Sequence, residues 1–197
     1  MFARLRYLVE LSHAHRIARR YFVTNGFDGV LAMLGLLMGF RVTGSSPVEV
    51  MVGACLGTAV ALLMSGLTSA YISESAEKAH ELRELEKSMV TSLDDSAHAE
   101  AARLMPWLIA LVNGLSPLLL ALLILLPLLL AQRQIWPSAL PVLDSAIVIA
   151  VLLSFLLGVF LGRLSGRFWL WTGARALLIA VVTAALILLL NQFLESP

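Results

Sequence analysis

Charge is what this chain lacks. Of 197 residues only 14 are Lys or Arg and 13 are Asp or Glu, 14% in all, where a soluble domain carries about a quarter. A water-soluble enzyme is excluded on that ground. The formal net charge of +1 leaves no broad basic surface, so nucleic acid is not an expected partner. There is a single cysteine, Cys55, inside an apolar run, which excludes an intramolecular disulfide. No nucleophile elbow, phosphate-binding glycine loop or HExxH is present, and an enzyme is not expected. What fills the space is hydrocarbon: 59% of residues are hydrophobic and the mean hydropathy is +0.89.

That hydrocarbon is bunched. Charge-free runs cover 50–73, 104–132, 145–162 and 176–194, each near the roughly 20 residues needed to span a bilayer core. A fifth apolar stretch, 21–40, is interrupted by Asp28. The runs are about twice the length of barrel strands, and a helix satisfies its own backbone in lipid. The expected fold is therefore an all-α integral membrane protein of five transmembrane helices, at about 21–40, 48–73, 106–131, 137–162 and 169–191. Residues 1–20 lead in, 21–73 hold the first two spans, 74–105 form a cytoplasmic acidic helical hairpin, and 106–197 hold the last three spans. Small residues along span two, including Gly53, Gly57, Ser65 and Gly66, suit close helix packing within the bundle or in a dimer. Trp107, Trp136, Trp169 and Trp171 fall near span ends, as interfacial anchors do.

Lys and Arg orient the bundle. Twelve of the 14 fall before span one, between spans two and three, or between spans four and five; only Arg41 and Arg133 lie on the other side. By the positive-inside rule the N-terminus is cytoplasmic and the C-terminus outside. Residues 1–20 have no separate short apolar core or small-residue cleavage site, so no signal cleavage is expected. Leu5, Leu8, Val9 and Ile17 set against arginines suit an amphipathic helix in the headgroup layer, or simply a basic flank that orients span one. Beyond span two, ESAEKAHELRELEKSM has no Pro or Gly, so that helix continues about four turns past the membrane. Ser92 is the expected N-cap of the helix that returns toward Pro106.

Asp28 is the most informative position. A carboxylate inside an apolar span costs several kcal/mol unless paired, hydrated or neutralised, and such residues mark ion or proton pathways. Gly26 and Gly29 flank it and Asn25 adds a carbonyl oxygen one turn earlier. The alternative is that Asp28 snorkels to the interface or caps a helix end. A second feature follows span two: Glu74, Glu77, Glu81 and Glu84, spaced +3, +4 and +3, lie on one helical face with His80 adjacent. Carboxylates with an imidazole suit Mn, Fe(II), Co or Zn. The competing reading pairs Glu74 with Lys78, Glu84 with Lys87 and Arg83 with Glu86 as ordinary ion pairs. Weaker metal candidates are Asp94, Asp95 and His98, expected on one face of the next helix with Glu100 pointing away, and Met64 of span two. Met33 and Met38 read mainly as filler. Asn113, Gly114, Ser116 and Pro117 interrupt span three, as a kink, a packing site or a cavity opening. Asp144, near the outer end of span four, is expected to meet water or Arg133.

Several of these features together resemble the vacuolar iron transporter (VIT) family. They are the basic lead before NGFDGV, a span two ending SGLTSAYISES, the Glu-rich helix directly after it, and a Pro-interrupted span three. The resemblance covers roughly residues 16–130; spans four and five agree in hydropathy alone. It implies a five-helix, N-inside homodimer that exports Fe(II) or Mn(II) from the cytosol in exchange for protons, with the metal as cargo and no permanently bound cofactor. By position, Asp28 corresponds to the family's ion-binding Asp and the Glu stripe to its cytoplasmic metal-binding helices. Phe27 stands where the family has Asn, and Gly66 and Ala70 where it has Met and Glu, so the resemblance implies a divergent prokaryotic-type member. The expected partners are a divalent metal ion, the lipid bilayer and a second copy. The alternative function is a membrane-anchored helical hairpin that does not transport and serves as a partner-binding or structural module.

The charge count makes a direct prediction. With Cys55 replaced by serine, single cysteines placed at Ser88 and Ser196 should react with a membrane-impermeant thiol reagent from opposite faces of the membrane. Labelling of both from one face overturns the five-span count.

Overall fold

A computed structural model describes residues 14–44, 46–137, 139–166 and 168–195. Among these residues the chain is entirely helical, with five helices: α1 (Ala14–Thr43), α2 (Val48–Met89), α3 (Ala97–Gln132), α4 (Val142–Leu164) and α5 (Trp169–Glu195). Each is long and apolar enough to cross a membrane. Large apolar side chains such as Val148, Leu152, Leu178, Val182 and Leu186 are exposed on their surfaces, a coating that water would not tolerate and lipid does. This is the composition and surface of a multi-pass membrane protein.

Two helices run well beyond a bilayer. At 1.5 Å per residue, the 42 residues of α2 reach about 63 Å and the 36 of α3 about 54 Å, against about 30 Å of hydrocarbon. The acidic segment 74–105 is therefore not a separate domain but the polar ends of two span helices and the turn between them. Its second arm starts later than expected, because Ser96, not Ser92, caps α3: the Ser96 hydroxyl accepts the Ala99 N–H at 3.2 Å. Ser92 instead closes a tight turn, donating to Asp94 at 2.8 Å, while the Leu93 N–H is taken by Glu86 at 2.9 Å. Span four likewise begins at Val142 rather than 137, since Pro137 and Pro141 hold the preceding residues in a turn where the Trp136 indole donates to the Leu140 carbonyl. Of the expected amphipathic helix 1–20, residues 1–13 lie outside the described residues, and from Ala14 the chain is already α1.

The helices contribute to two compact units. One contains the described residues up to Asn25 together with Leu63–Ser116. Its apolar centre is Ala101, Met105 and Ile109 of α3, with Ile17 and Tyr21 of α1 packed on them. The Tyr71 and Trp107 rings pack tilted at 39° with centroids 4.3 Å apart, so Trp107 is a packing residue as well as a span-end aromatic.

The other unit comprises Gly26–Leu62 and the residues from Pro117 on. Helix α1 buries Val30, Met33, Leu34, Leu37 and Met38 there, at i, i+3, i+4, i+7 and i+8, the spacing of a single helical face. Gly29 lies against Pro117 of α3, where an added Cβ would sit 2.6 Å from the Pro117 Cβ. Asp144 meets Arg41 at 2.7 Å rather than Arg133, tying the end of α1 to the start of α4. Helix α4 presents Ala146, Ala150, Ser154, Gly158 and Gly162, a buried ridge of small residues at every fourth position. Helix α5 closes on that ridge with Thr172, Gly173 and Ala176: a Cβ on Gly158 would lie 2.6 Å from the Ala176 Cβ and 2.7 Å from the Thr172 carbonyl, and one on Gly162 would strike the Thr172 hydroxyl. This is helix packing by close backbone approach, which lipid favours because apolar bulk gains nothing by leaving one hydrocarbon for another.

Gly53 and Gly57 of α2 are different. A Cβ on Gly53 or Gly57 would meet nothing within 4 Å. Gly158→Val should thus loosen α4 from α5 and lower stability by about 1–3 kcal/mol, whereas Gly53→Ala should be neutral or mildly stabilising. Thermal unfolding of both variants in mild detergent checks this; equal melting temperatures would overturn the assigned seam.

Candidate functional site

In the first unit the polar groups at membrane depth gather where α1, α2 and α3 meet. Pro117 has no N–H, so the Asn113 carbonyl four residues before it loses its intrahelical donor. The Asn25 amide takes that place, donating to the Asn113 carbonyl at 2.7 Å. The Asn113 side chain in turn donates to the Gly66 carbonyl at 2.8 Å, and the Ser116 hydroxyl donates to the Phe22 carbonyl. Asn113 is buried, and its Oδ1 has no hydrogen-bond partner among the described residues. The glycines permit this contact: a Cβ on Gly66 would sit 2.6 Å from Asn25 Nδ2, and one on Gly114 would sit 2.7 Å from the Leu63 carbonyl. Gly66 and Asn25 thus fit each other. The signal that marks Asn113 in sequence is an amide in a charge-free run, four residues before a proline.

Asn25 and Asp28 fall in different units, and Asn25 spends its amide on Asn113. Asp28 is exposed on the surface of an apolar stretch of α1, with no hydrogen bond or ion pair to any described residue. Of the glycines beside it, Gly29 is occupied by Pro117.

The acidic stripe divides. Glu74 is buried, with the Tyr21 hydroxyl beside its carboxylate, whereas Glu77, Glu81 and Glu84 are exposed along with His80. The expected Glu74 to Lys78 pair is replaced by Lys78 to Glu81 at 2.6 Å, with the lysine side chain only 8% exposed. Lys87 pairs with Glu84 at 2.8 Å, and its hydrogen bond holds the Glu84 carboxyl below the usual carboxylate range. Glu86 serves the turn at Leu93 rather than Arg83. Asp94 and Asp95 precede α3, so they do not share a helical face with His98; they line a surface depression with Glu100, which was expected to point away. Met64 is exposed, while Met33 and Met38 are core. Among the described residues no three His, Cys, Asp or Glu side chains converge on a point that could hold a metal ion within one chain.

The chain is 28% identical over 176 residues, 88% of each sequence, to an uncharacterized protein of the archaeon Methanocaldococcus jannaschii, MJ0645. No family model matches the chain, and no solved structure matches it.

The junction of α1, α2 and α3 is open to test. Asn113→Leu should lower stability by about 0.6–2 kcal/mol, the range of interhelical hydrogen bonds in membranes. Gly66→Met should cost more, since it drives a side chain into Asn25. Tryptophan-detected melting in detergent checks both, and a Gly66→Met protein that melts like the wild type would refute the contact.

Proposed function

We propose that the chain is a secondary transporter that moves a divalent transition metal, Fe(II) or Mn(II), out of the cytoplasm in exchange for protons, working as a homodimer with its N-terminus inside. The observation that carries this reading is Asp28. A lone carboxylate on the exposed surface of an apolar helix is costly in lipid, and the cost is removed when the group binds a cation or takes a proton. Those are the states a proton-coupled carrier alternates between. In a two-fold dimer the same residue enters twice, and two carboxylates with water or backbone carbonyls suit a hard or borderline divalent ion. Glu77, Glu81 and Glu84, on the hydrated end of α2, would raise the local cation concentration before entry.

One observation favours a second reading, an anchored helical hairpin that docks a partner and transports nothing. Glu81 and Glu84 are already neutralised by Lys78 and Lys87, and metal would have to displace those lysines.

Flux separates the two. Asp28→Asn should abolish uptake of Fe(II) and Mn(II) into proteoliposomes under a pH gradient while thermal stability holds or rises, because a costly charge is removed. Glu77→Ala combined with Glu81→Ala should raise the half-saturating metal concentration and leave maximal flux, since the stripe is hydrated and redundant. Normal flux through Asp28→Asn would defeat the carrier mechanism, and absence of metal-dependent flux in the wild type would leave the anchored hairpin.

A further inference from the structure

In the second unit, α1, α4 and α5 border an apolar groove of about 350 Å³. Phe27, Leu31, Leu161 and Ile179 line it, Gly158, Thr172 and Ala176 form its floor, and one cation, Arg175, stands over it. Arg175 lies six residues into α5, about 9 Å along the axis from Trp169. Its guanidinium is 5.2 Å from the centre of the Trp171 ring. Near the same end of the helix pair, the Arg163 guanidinium lies 5.5 Å from the Trp169 ring. Among the described residues neither arginine has a carboxylate within ion-pairing distance.

These features are those of a headgroup site. A guanidinium offers a fork of N–H donors that fits two phosphate oxygens, and stacking on tryptophan orients it before the anion arrives. Paired Trp and Arg near helix ends are found where acyl chains give way to headgroups, and a long cationic side chain reaches that level from a few residues deeper. The groove continues from the arginine along a wall that is apolar apart from Thr172, whose hydroxyl donates to the Trp169 carbonyl of its own helix, and it opens on surface that faces lipid. We propose that it holds an anionic phospholipid of the surrounding bilayer, with the phosphate on Arg175 and one acyl chain against Leu31, Leu161 and Ile179. The charge count assigns this end of the helices to the cytoplasmic leaflet. The site is independent of metal transport and would exist in either reading of the function.

The test is native mass spectrometry of the full chain released from nanodiscs made of equal parts phosphatidylglycerol and phosphatidylcholine. The wild type should retain phosphatidylglycerol in preference. Arg175→Gln, a change at an exposed side chain, should lower that preference about fivefold, the weight of one basic group at an anionic surface. Leu161→Trp, which fills the groove, should lower retention of both lipids, while Arg103→Gln in the hairpin should leave the ratio unchanged. Excess inorganic phosphate should not displace the lipid, because it cannot replace the chain contacts. The proposal is overturned if Arg175→Gln keeps the wild-type ratio, if Arg103→Gln lowers it equally, or if free phosphate releases the lipid. It is also overturned if Leu161→Trp changes the subunit number and not the lipid count, the result expected of a second protein copy in the groove.

Discussion

A helix in hydrocarbon has no water to complete its backbone hydrogen bonds, and α3 carries three prolines that each withhold a donor, Pro106, Pro117 and Pro127. How the carbonyl freed by Pro117 is satisfied organises the first unit. Asn25 supplies the missing N–H from α1, and Asn113 then passes its own amide hydrogen to the Gly66 carbonyl of α2. Each donation requires backbones closer than a Cβ would allow, which fixes glycine at positions 66 and 114. The order of dependence runs from a missing proton on Pro117, to an amide on α1, to the absence of side chains on α2 and α3.

Helices α4 and α5 cohere without an interhelical hydrogen bond among the described residues. Their ridge of Ala, Ser and Gly at fourfold spacing brings two backbones together and leaves larger residues to face outward. Dispersion between closely apposed backbones replaces hydrogen bonding as the attractive term. The two halves of the chain thus use different chemistry for cohesion. The apolar ridge is also what leaves a groove beside it, because small residues that admit one helix leave space along their edge.

The five helices were legible because length, apolarity and the placement of arginine are strong one-dimensional signals. The continuation of span two to Met89 was legible for the same kind of reason, an unbroken run without Pro or Gly. The start of α3 was not. Ser92 and Ser96 are equally good capping residues, and the choice depends on Glu86 reaching across the turn to Leu93, a contact between residues whose pairing no periodicity encodes. The ridge in α4 was visible at fourfold spacing but hidden under a uniformly high hydropathy. Asp144, expected to meet water or Arg133, pairs with Arg41 because the end of α1 is near in space though distant in sequence. Of the site residues, Asp28 keeps the isolation that made it conspicuous. The glutamate stripe divides, with Glu74 turned inward and Glu81 and Glu84 paired with lysines, since a stripe drawn on a helical wheel does not show which member turns inward. Of the three positions that depart from the VIT-like pattern, Gly66 and Ala70 are buried, and for Gly66 the structure supplies a reason: a side chain there would occupy the volume of the Asn25 amide.

The ion pairs of α2 also have a consequence for chemical handling. The chain has only two lysines, Lys78 and Lys87. One is shut in, with 8% of its side chain exposed and its ammonium against Glu81; the other is 73% exposed near the end of the same helix. Acylating reagents need a free, accessible amine, so of the two lysine side chains they would find Lys87 and pass over Lys78. A dye, a biotin or a surface tether aimed at side-chain amines would therefore land on one position, at the far end of α2 from its first turn, and every molecule in an immobilised layer tethered there would be held by the same point.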